Sequence, residues 1–323
     1  MATPLIKRIL VVRHRFIGDT ILTLPTLRVL KGAYPNAAID VLVEPMSGEV
    51  LRHCPYIDSL IPFNGFWQTV NTLKSHRYDA AILLKRSFSS AAMIFLAGIA
   101  IRAGFDTEHR GWLLTHRIGY NRHRHEADCF LDVLRALSLN VPVCEPKADP
   151  ALACWLSDSE HQVASGLIKP NATDLNRGNL NRADLHWGVH FSSSNPAKQW
   201  AVPCWHHLLT RALEAYPGLH LHAFGTRQDT VLIDAVFQGL SPEHQRRCFS
   251  HAAKTNIRET MACLNKLDGL IGVDSGLPHL SAALGKQTLT LFGPMSPEKW
   301  KPLGPNSEVI HTALACQPCH LKG

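Results

Sequence analysis

Four segments of this chain set charged or hydroxyl side chains into turns directly after short apolar runs. The first is Arg13-His14-Arg15-Phe16-Ile17-Gly18-Asp19-Thr20. Gly18 suits a tight turn or the close approach of backbone to a ligand. Asp19 follows it at the start of a helical pattern, where a carboxylate either caps free backbone N–H groups or acts as a general base. The second is Ser192-Ser193-Ser194-Asn195-Pro196-Ala197-Lys198-Gln199-Trp200. Hydroxyls, unpaired N–H groups and the Lys198 ammonium there make either a phosphate cradle or a polar turn with a solvated lysine. The third, Phe224-Gly225-Thr226-Arg227-Gln228-Asp229, is weak alone, because glycine is common at strand ends. The fourth is Gly272-Val273-Asp274-Ser275-Gly276-Leu277-Pro278-His279. Asp274 ends an apolar run, Ser275 and Gly276 form the turn, and His279 falls in the first turn of the next helix. A helix N-terminus favours a phosphate, and Asp274 suits the hydroxyls of a sugar. The competing reading of His279 is a core histidine satisfied by its neighbours.

Several chemistries are disfavoured. No G-x-G-x-x-G follows an apolar run, which argues against a dinucleotide oxidoreductase, and no G-x-x-x-x-G-K-[ST] is present. No D-x-D pair is available to hold a divalent metal on a nucleotide diphosphate. Neither H-E-x-x-H nor G-x-S-x-G occurs. Cys316-Gln317-Pro318-Cys319 is a lone C-x-x-C beside His320, with no second pair to complete a zinc site. A packed or solvent-facing turn competes there with a metal or redox role.

The elements that must position these segments alternate between strand and helix. Strands are expected at Ile9–Arg13, Ala38–Val43, Leu60–Phe63 and Ala80–Leu84. Helices are expected over Gly18–Lys31, with Pro25 kinking it or starting a second one, and over Thr69–Ser75, Ser87–Ile101 and Glu126–Leu139. Lys169 to Asp184 is poor in apolar residues and reads as a linker. The rhythm then restarts with strands at Trp187–Phe191, Leu219–Phe224, Gly269–Val273 and Thr288–Phe292. Helices are expected between them at Pro203–Ala215, Asp229–Gly239, Asn256–Asn265 and Leu277–Leu284. Alternation implies parallel sheets with right-handed crossovers. The expected fold is therefore α/β, with two doubly wound domains facing a cleft. The expected boundaries are 1–168, a linker at 169–184, and 185–323, a division that suits 323 residues.

Composition sets the remaining limits. Hydrophobic residues make up 46% and charged residues 18%, an ordinary globular balance. No apolar run is long enough for a transmembrane helix, and no signal-peptide pattern opens the chain, so a cytoplasmic protein is expected. The nine cysteines have no regular spacing and read as reduced thiols. The net charge of +7 suggests an anionic partner: nucleic acid, a membrane surface or a phosphorylated substrate. No aromatic-basic pattern supports nucleic acid.

The chain resembles the ADP-heptose:lipopolysaccharide heptosyltransferases, family 9 of the glycosyltransferases. The resemblance is carried by Ile9–Arg13 followed by Ile17-Gly18-Asp19 and Leu24-Pro25, and by Arg102-Ala103-Gly104-Phe105 and His125-Glu126. It continues through Lys198-Gln199-Trp200, Gly272 to Gly285, Thr290-Leu291-Phe292-Gly293-Pro294 and the terminal C-x-x-C. It implies a metal-independent, inverting enzyme of GT-B architecture with two Rossmann-like domains and no cofactor. It also implies that Asp19 is the general base and that Lys198, with Ser193 and Ser194, holds the donor phosphates. Asp274, Ser275, Gly276 and His279 then form the rest of the donor pocket. The implied partners are a nucleotide sugar, ADP-heptose, and an anionic glycolipid acceptor reached peripherally at the inner membrane, with no nucleic acid. On the acceptor side Arg15, Lys85, Arg86, Arg122 and Arg124 are candidates, with Arg110 and Arg117 beside them. Arginine suits phosphate and carboxylate. One position departs from the family: Arg227 stands where an acidic residue often holds the ribose, with Asp229 two residues on. A family member with another acceptor or nucleotide, and a non-catalytic sugar-nucleotide binder, are the competing readings.

Overall fold

The computed structural model describes residues 6–13, 15–137, 139, 155–168 and 184–319. His14, Cys144, Cys154, His320 and residues 169–183 of the expected linker lie outside the described residues. The chain divides into two units, Met1–Glu145 and Pro146–Gly323.

In the first unit β1 (Arg8–Val12), β2 (Ala38–Val43), β3 (Ser59–Pro62), β4 (Ala80–Leu83), β5 (Ile101–Phe105) and β6 (His116–Ile118) form one sheet. Between and after them run α1 (Ile17–Ile21), α2 (Leu24–Ala33), α3 (Pro45–Gly48), α4 (Phe66–His76), α5 (Phe88–Leu96) and α6 (Glu126–Arg135). Every pairing is parallel, in the order β3-β2-β1-β4-β5-β6. The central strands are apolar on both faces because helices cover both faces; Ile9, Leu10, Val11 and Val12 are all buried.

The second unit opens on α7 (Asp158–Leu167) and repeats the plan. It continues with β7 (Leu185–His190), α8 (Val202–Ala215), β8 (Leu219–Ala223), α9 (Thr230–Gln238), α10 (Pro242–Gln245), β9 (Cys248–Ser250) and α11 (Ile257–Lys266). It ends with β10 (Gly269–Val273), α12 (Gly276–Ala283), β11 (Gln287–Phe292), α13 (Pro297–Trp300) and β12 (Ser307–His311). The order β12-β11-β10-β7-β8-β9 is again all parallel. Counted within each unit, both sheets wind outward from their first strand to the third. They then restart beside the first strand with the fourth. The crossovers diverge between β1 and β4 and between β7 and β10. Such switch points leave an opening at the carboxyl ends of the strands.

Several expectations need correction. Gly18 lies inside α1, and the turn falls instead at Arg15 and Phe16, where Phe16 takes φ 66°. Of the two alternatives at Pro25 the second holds and needs no correction: the proline sits in the first turn of α2, where its missing N–H costs nothing. The helix expected to reach Ile101 ends at Leu96. Gly98 then takes φ 76°, a conformation that reverses the chain into β5. The first domain does not extend to residue 168. α7 packs on α11, and Arg258, 3% exposed at its side chain, holds Glu160 through two hydrogen bonds of 2.8 and 2.9 Å. The same guanidinium donates to the Trp155 carbonyl at 2.6 Å.

This tie yields a stability prediction. The hydrogen bonds from Arg258 bring the Glu160 pKa down from 4.5 to about 2. Its stabilisation is thus complete above pH 4.5 and is lost as pH falls toward 2. Glu160→Gln, which removes the carboxylate charge facing the buried guanidinium, is expected to cost about 3 kcal/mol at pH 7. Urea unfolding of both proteins at pH 7 and pH 3 measures the gap. A gap of equal size at both pH values contradicts this role.

Candidate functional site

At the second switch point, β7 ends in His190 and β10 ends in Val273, and the two segments singled out in the sequence follow them. Asp274 is 5% exposed. Its carboxylate receives the Lys198 ammonium at 2.8 Å. Burial raises the Asp274 pKa, and Lys198 pulls it back. Ser193 Oγ donates to the Asp274 backbone carbonyl at 3.2 Å, which fixes one loop against the other. Lys198 reaches the site from a short 3-10 turn, Pro196–Lys198, capped by Asn195, whose side chain accepts from Ala197 N at 3.0 Å. Ser194 is exposed on the same loop. Sequence reading treats Lys198 and Asp274 as separate ligand contacts; the structure makes them one ion pair.

Ser275 is the N-cap of α12 but makes no capping hydrogen bond. Its Oγ donates backward to the Val273 carbonyl at 3.0 Å. The first N–H groups of α12, beginning at Gly276, therefore have no side-chain acceptor from the cap, the condition under which a helix end binds an anion. His279 sits one turn in and is 5% exposed. Close packing shapes the floor: a Cβ on Gly272 would stand 3.1 Å from the His190 carbonyl.

Two supports escaped sequence reasoning. Gly293 closes β11 and lies against the Lys198 turn, since a Cβ there would be 3.4 Å from the Ala197 carbonyl. Gln317 Nε2 donates to the Gly293 carbonyl at 2.5 Å, and Cys319 N donates to the Pro294 carbonyl at 2.8 Å. The C-x-x-C segment is thus a turn bound to the loop behind Lys198. Among the described residues no group of three or more His, Cys, Asp or Glu is arranged to hold a metal.

Asp229 does not stand free as a replacement for the acidic residue displaced by Arg227. Its carboxylate accepts from Thr226 N at 2.6 Å and Thr226 Oγ1 at 2.7 Å in a capping box. Burial alone would raise its pKa, but hydrogen bonds from Ser192 and Thr226 outweigh burial and hold it below the usual carboxylate value. Arg227 is exposed.

At the first switch point, α1 carries Asp19 beyond the end of β1. Asp19 is not a helix cap: the N-cap is Phe16, and the carboxylate pairs with the Arg13 guanidinium instead. Burial raises the Asp19 pKa; Arg13 opposes this, and the Glu126 carboxylate pushes the same way as burial. Glu126, 1% exposed, accepts from Tyr120 Oη at 2.6 Å. Arg86 lies 3.9 Å over the Tyr120 ring and also favours the ionised Asp19. Arg13 was legible only as part of a loop. Its spacing of six residues from Asp19 was the available signal.

The other cations divide into exposed and committed. Arg15 is 65% exposed and bonds Glu44 at 2.9 Å. Lys85 follows β4, and burial, then Arg15 and Arg13, lower its pKa. Arg122 is exposed in a depression of about 440 Å³ lined by Gly119, Tyr120, Asn121, Arg122 and His123. Arg124 is committed: it bonds Asp132 at 2.7 and 3.0 Å and lies 3.8 Å from Asp128. Arg117 lies 3.8 Å from Asp106. Arg110 is fully buried and donates to the carbonyls of Phe105, Lys85 and Ser87 at 2.9, 2.7 and 3.0 Å. It shapes the loop that carries Lys85 and Arg86.

The family model "Glycosyltransferase family 9 (heptosyltransferase)" matches residues 66–323. The chain is 27% identical to lipooligosaccharide heptosyltransferase 2 of Haemophilus ducreyi, over 94% of this chain and 88% of that one. Among solved structures, E. coli ADP-heptose LPS heptosyltransferase II aligns with TM-score 0.78 and 24% identity, covering 96% of this chain and 92% of that one. E. coli heptosyltransferase WaaC with ADP aligns with TM-score 0.73 and 20% identity, covering 94% and 92%. These are GT-B folds, built like this chain from two Rossmann-like units. With the model matching most of its length, the chain belongs to glycosyltransferase family 9, the heptosyltransferase family.

Proposed function

We propose that this chain is an inverting, metal-independent heptosyltransferase that moves heptose from ADP-heptose to the inner core of lipopolysaccharide. The observation that carries the reading is the buried Asp274 carboxylate paired with the half-buried Lys198 ammonium beside the uncapped N-terminus of α12. In this reading Asp19 takes the proton from the acceptor hydroxyl as that oxygen bonds to the anomeric carbon. The bond from that carbon to the diphosphate breaks on the opposite side, and ADP leaves with the electron pair. The Lys198 ammonium and the α12 N–H groups stabilise the charge on the departing phosphate. Asp274 orients Lys198, and Ser193, Ser194, Ser275, Gly276 and His279 complete the donor pocket.

Support for the donor comes from relatives: E. coli heptosyltransferase WaaC has been solved with ADP and with ADP-2-deoxy-2-fluoro heptose. Arg15, Lys85, Arg86 and Arg122 receive the anionic acceptor, while Arg124, held by Asp128 and Asp132, is left out. The enzyme would act in the cytoplasm, peripherally at the inner membrane; no helix among the described residues is long and apolar enough to cross a membrane. One observation favours a second reading, a donor with another nucleotide. With Asp229 held in its capping box and Arg227 exposed, the third loop presents no unengaged carboxylate to a ribose.

Four results are expected. Asp19→Asn lowers kcat by about 10²–10⁴-fold while ADP affinity, measured by calorimetry, stays unchanged; near-normal turnover removes Asp19 from the mechanism. Arg13 favours the ionised form of Asp19, so its removal raises the Asp19 pKa. Arg13→Met should therefore move the acid limb of the kcat/KM profile to higher pH, and an unmoved limb separates that limb from Asp19. In thermal unfolding, ADP should raise the Tm more than UDP or GDP, and Lys198→Ala should reduce the shift from all three, because they share the diphosphate that Lys198 would hold. A preference for UDP or GDP selects the second reading. Finally, a chelator should leave the transfer rate unchanged, and a rate restored only by divalent metal refutes the metal-free scheme.

A further inference from the structure

A surface helix of a water-soluble unit ordinarily carries charge on its outer face. α5 does not: from Ser87 to Ile101 the chain has no charged residue. Its inner face is filled by Ser90, Ala91, Met93 and Ile94, all buried. Its outer face is apolar too. Phe88 and Phe95, seven residues apart on one stripe, are 43% and 44% exposed, and Leu96 is 41% exposed. Trp112, 68% exposed on the short 3-10 turn Gly111–Leu113, joins them, with ring centroids 6.4 Å from Phe88 and 6.1 Å from Phe95.

The patch is held in place and bracketed by positive charge. Arg102 lies 5.3 Å over the Phe95 ring. It also donates to the carbonyls of Leu113, Ile99 and Ala100 at 2.6, 2.6 and 3.1 Å, tying the helix end to the turn that bears Trp112. Lys85 and Arg86 flank the other end of α5. The first unit carries 17 of the 33 Lys and Arg residues against 12 of the 26 Asp and Glu. Tryptophan and phenylalanine among flanking cations match the boundary between acyl chains and anionic headgroups. The polar groups on this face are few, the exposed Ser89 hydroxyl and the Trp112 indole N–H, and an indole N–H suits the headgroup level of a bilayer.

We infer that the outer face of α5, with Trp112, is the surface by which the first unit docks on an anionic lipid bilayer. The inference deepens the proposed function and rests on its reading of the acceptor as a membrane glycolipid. Insertion of the four apolar side chains supplies attachment, and the flanking cations supply preference for anionic headgroups.

Co-sedimentation of the full chain with sucrose-loaded vesicles tests this, comparing phosphatidylethanolamine/phosphatidylglycerol with phosphatidylcholine alone. Wild type should pellet with the anionic vesicles, and Phe95→Ser/Trp112→Ser should bind them at least about tenfold more weakly. Trp112→Ser alone, at an exposed position, serves if the double variant does not fold, and should give a smaller loss in the same direction. Turnover of a deacylated, water-soluble acceptor should be unchanged in both variants. Vesicle binding equal to wild type in a folded variant overturns the docking face, as does a wild type that stays in the supernatant. Conversion of a dimer to a monomer by these substitutions, with vesicle binding intact, assigns the patch to self-association instead and also overturns it. Vesicle binding as expected, with no turnover of any lipopolysaccharide acceptor, removes the proposed reaction while supporting the docking face.

Discussion

Each unit carries one carboxylate out of water at its switch point and gives it one cation. Asp19 has Arg13, and Asp274 has Lys198. Burial raises both carboxylate pKa values, and the paired cation draws each back. Taking such pairs out of water costs several kcal/mol per ion unless the geometry is good and further hydrogen bonds assist. The surrounding elements provide that assistance: Ser193 ties the Asp274 loop, and the Asn195 cap shapes the Lys198 turn. The Arg86, Tyr120 and Glu126 side chains are layered beside Asp19.

The two pairs differ in a way that suits different work. Arg13 and Asp19 come from one continuous segment, and the guanidinium cannot lose its charge, so it biases Asp19 steadily toward the ionised form. Glu126 and burial bias it the other way. A carboxylate held between opposed influences is one whose proton affinity small changes can tune. Lys198 and Asp274 come from different loops joined through Ser193. A flexible ammonium there can turn from its carboxylate to an arriving phosphate. The backward hydrogen bond of Ser275 leaves the adjacent α12 N–H groups without an acceptor from the cap.

Much of this was legible in the sequence, and the reasons for the rest are physical. Central strands such as Ile9–Val12 and Gly269–Val273 are apolar on both faces and announce themselves. The edge strands β6, β9 and β12 read His-Arg-Ile, Cys-Phe-Ser and Ser-Glu-Val-Ile-His, short and partly polar as edges tend to be, so no periodic pattern marks them. α7 has a clear capping box, Ser157 with Glu160, but its partner Arg258 lies 98 residues on, and only tertiary packing reveals which unit holds it. In the site, glycine and hydroxyl spacing located the loops. The pairing of Lys198 with Asp274, the use of Asp229 as a cap and the Gln317 contact behind Gly293 depend on distances that no local pattern encodes.

The charge balance shows the same limit. A net +7 suggests a broadly basic surface, but many arginines face inward. Arg102, Arg110 and Arg247 each donate to three backbone carbonyls. Arg258 holds Glu160 and the Trp155 carbonyl, and Arg124 holds Asp132. Guanidinium suits this role because its planar fork satisfies several acceptors at once and stays charged when buried. Loops leaving the carboxyl ends of strands carry carbonyls with no ladder partner, and a buried arginine can gather them. Arg110 does so for the loop after β4, whose next residues are Lys85 and Arg86. One buried cation therefore holds the backbone of the loop from which two others emerge, and Arg86 is the one that acts on Asp19.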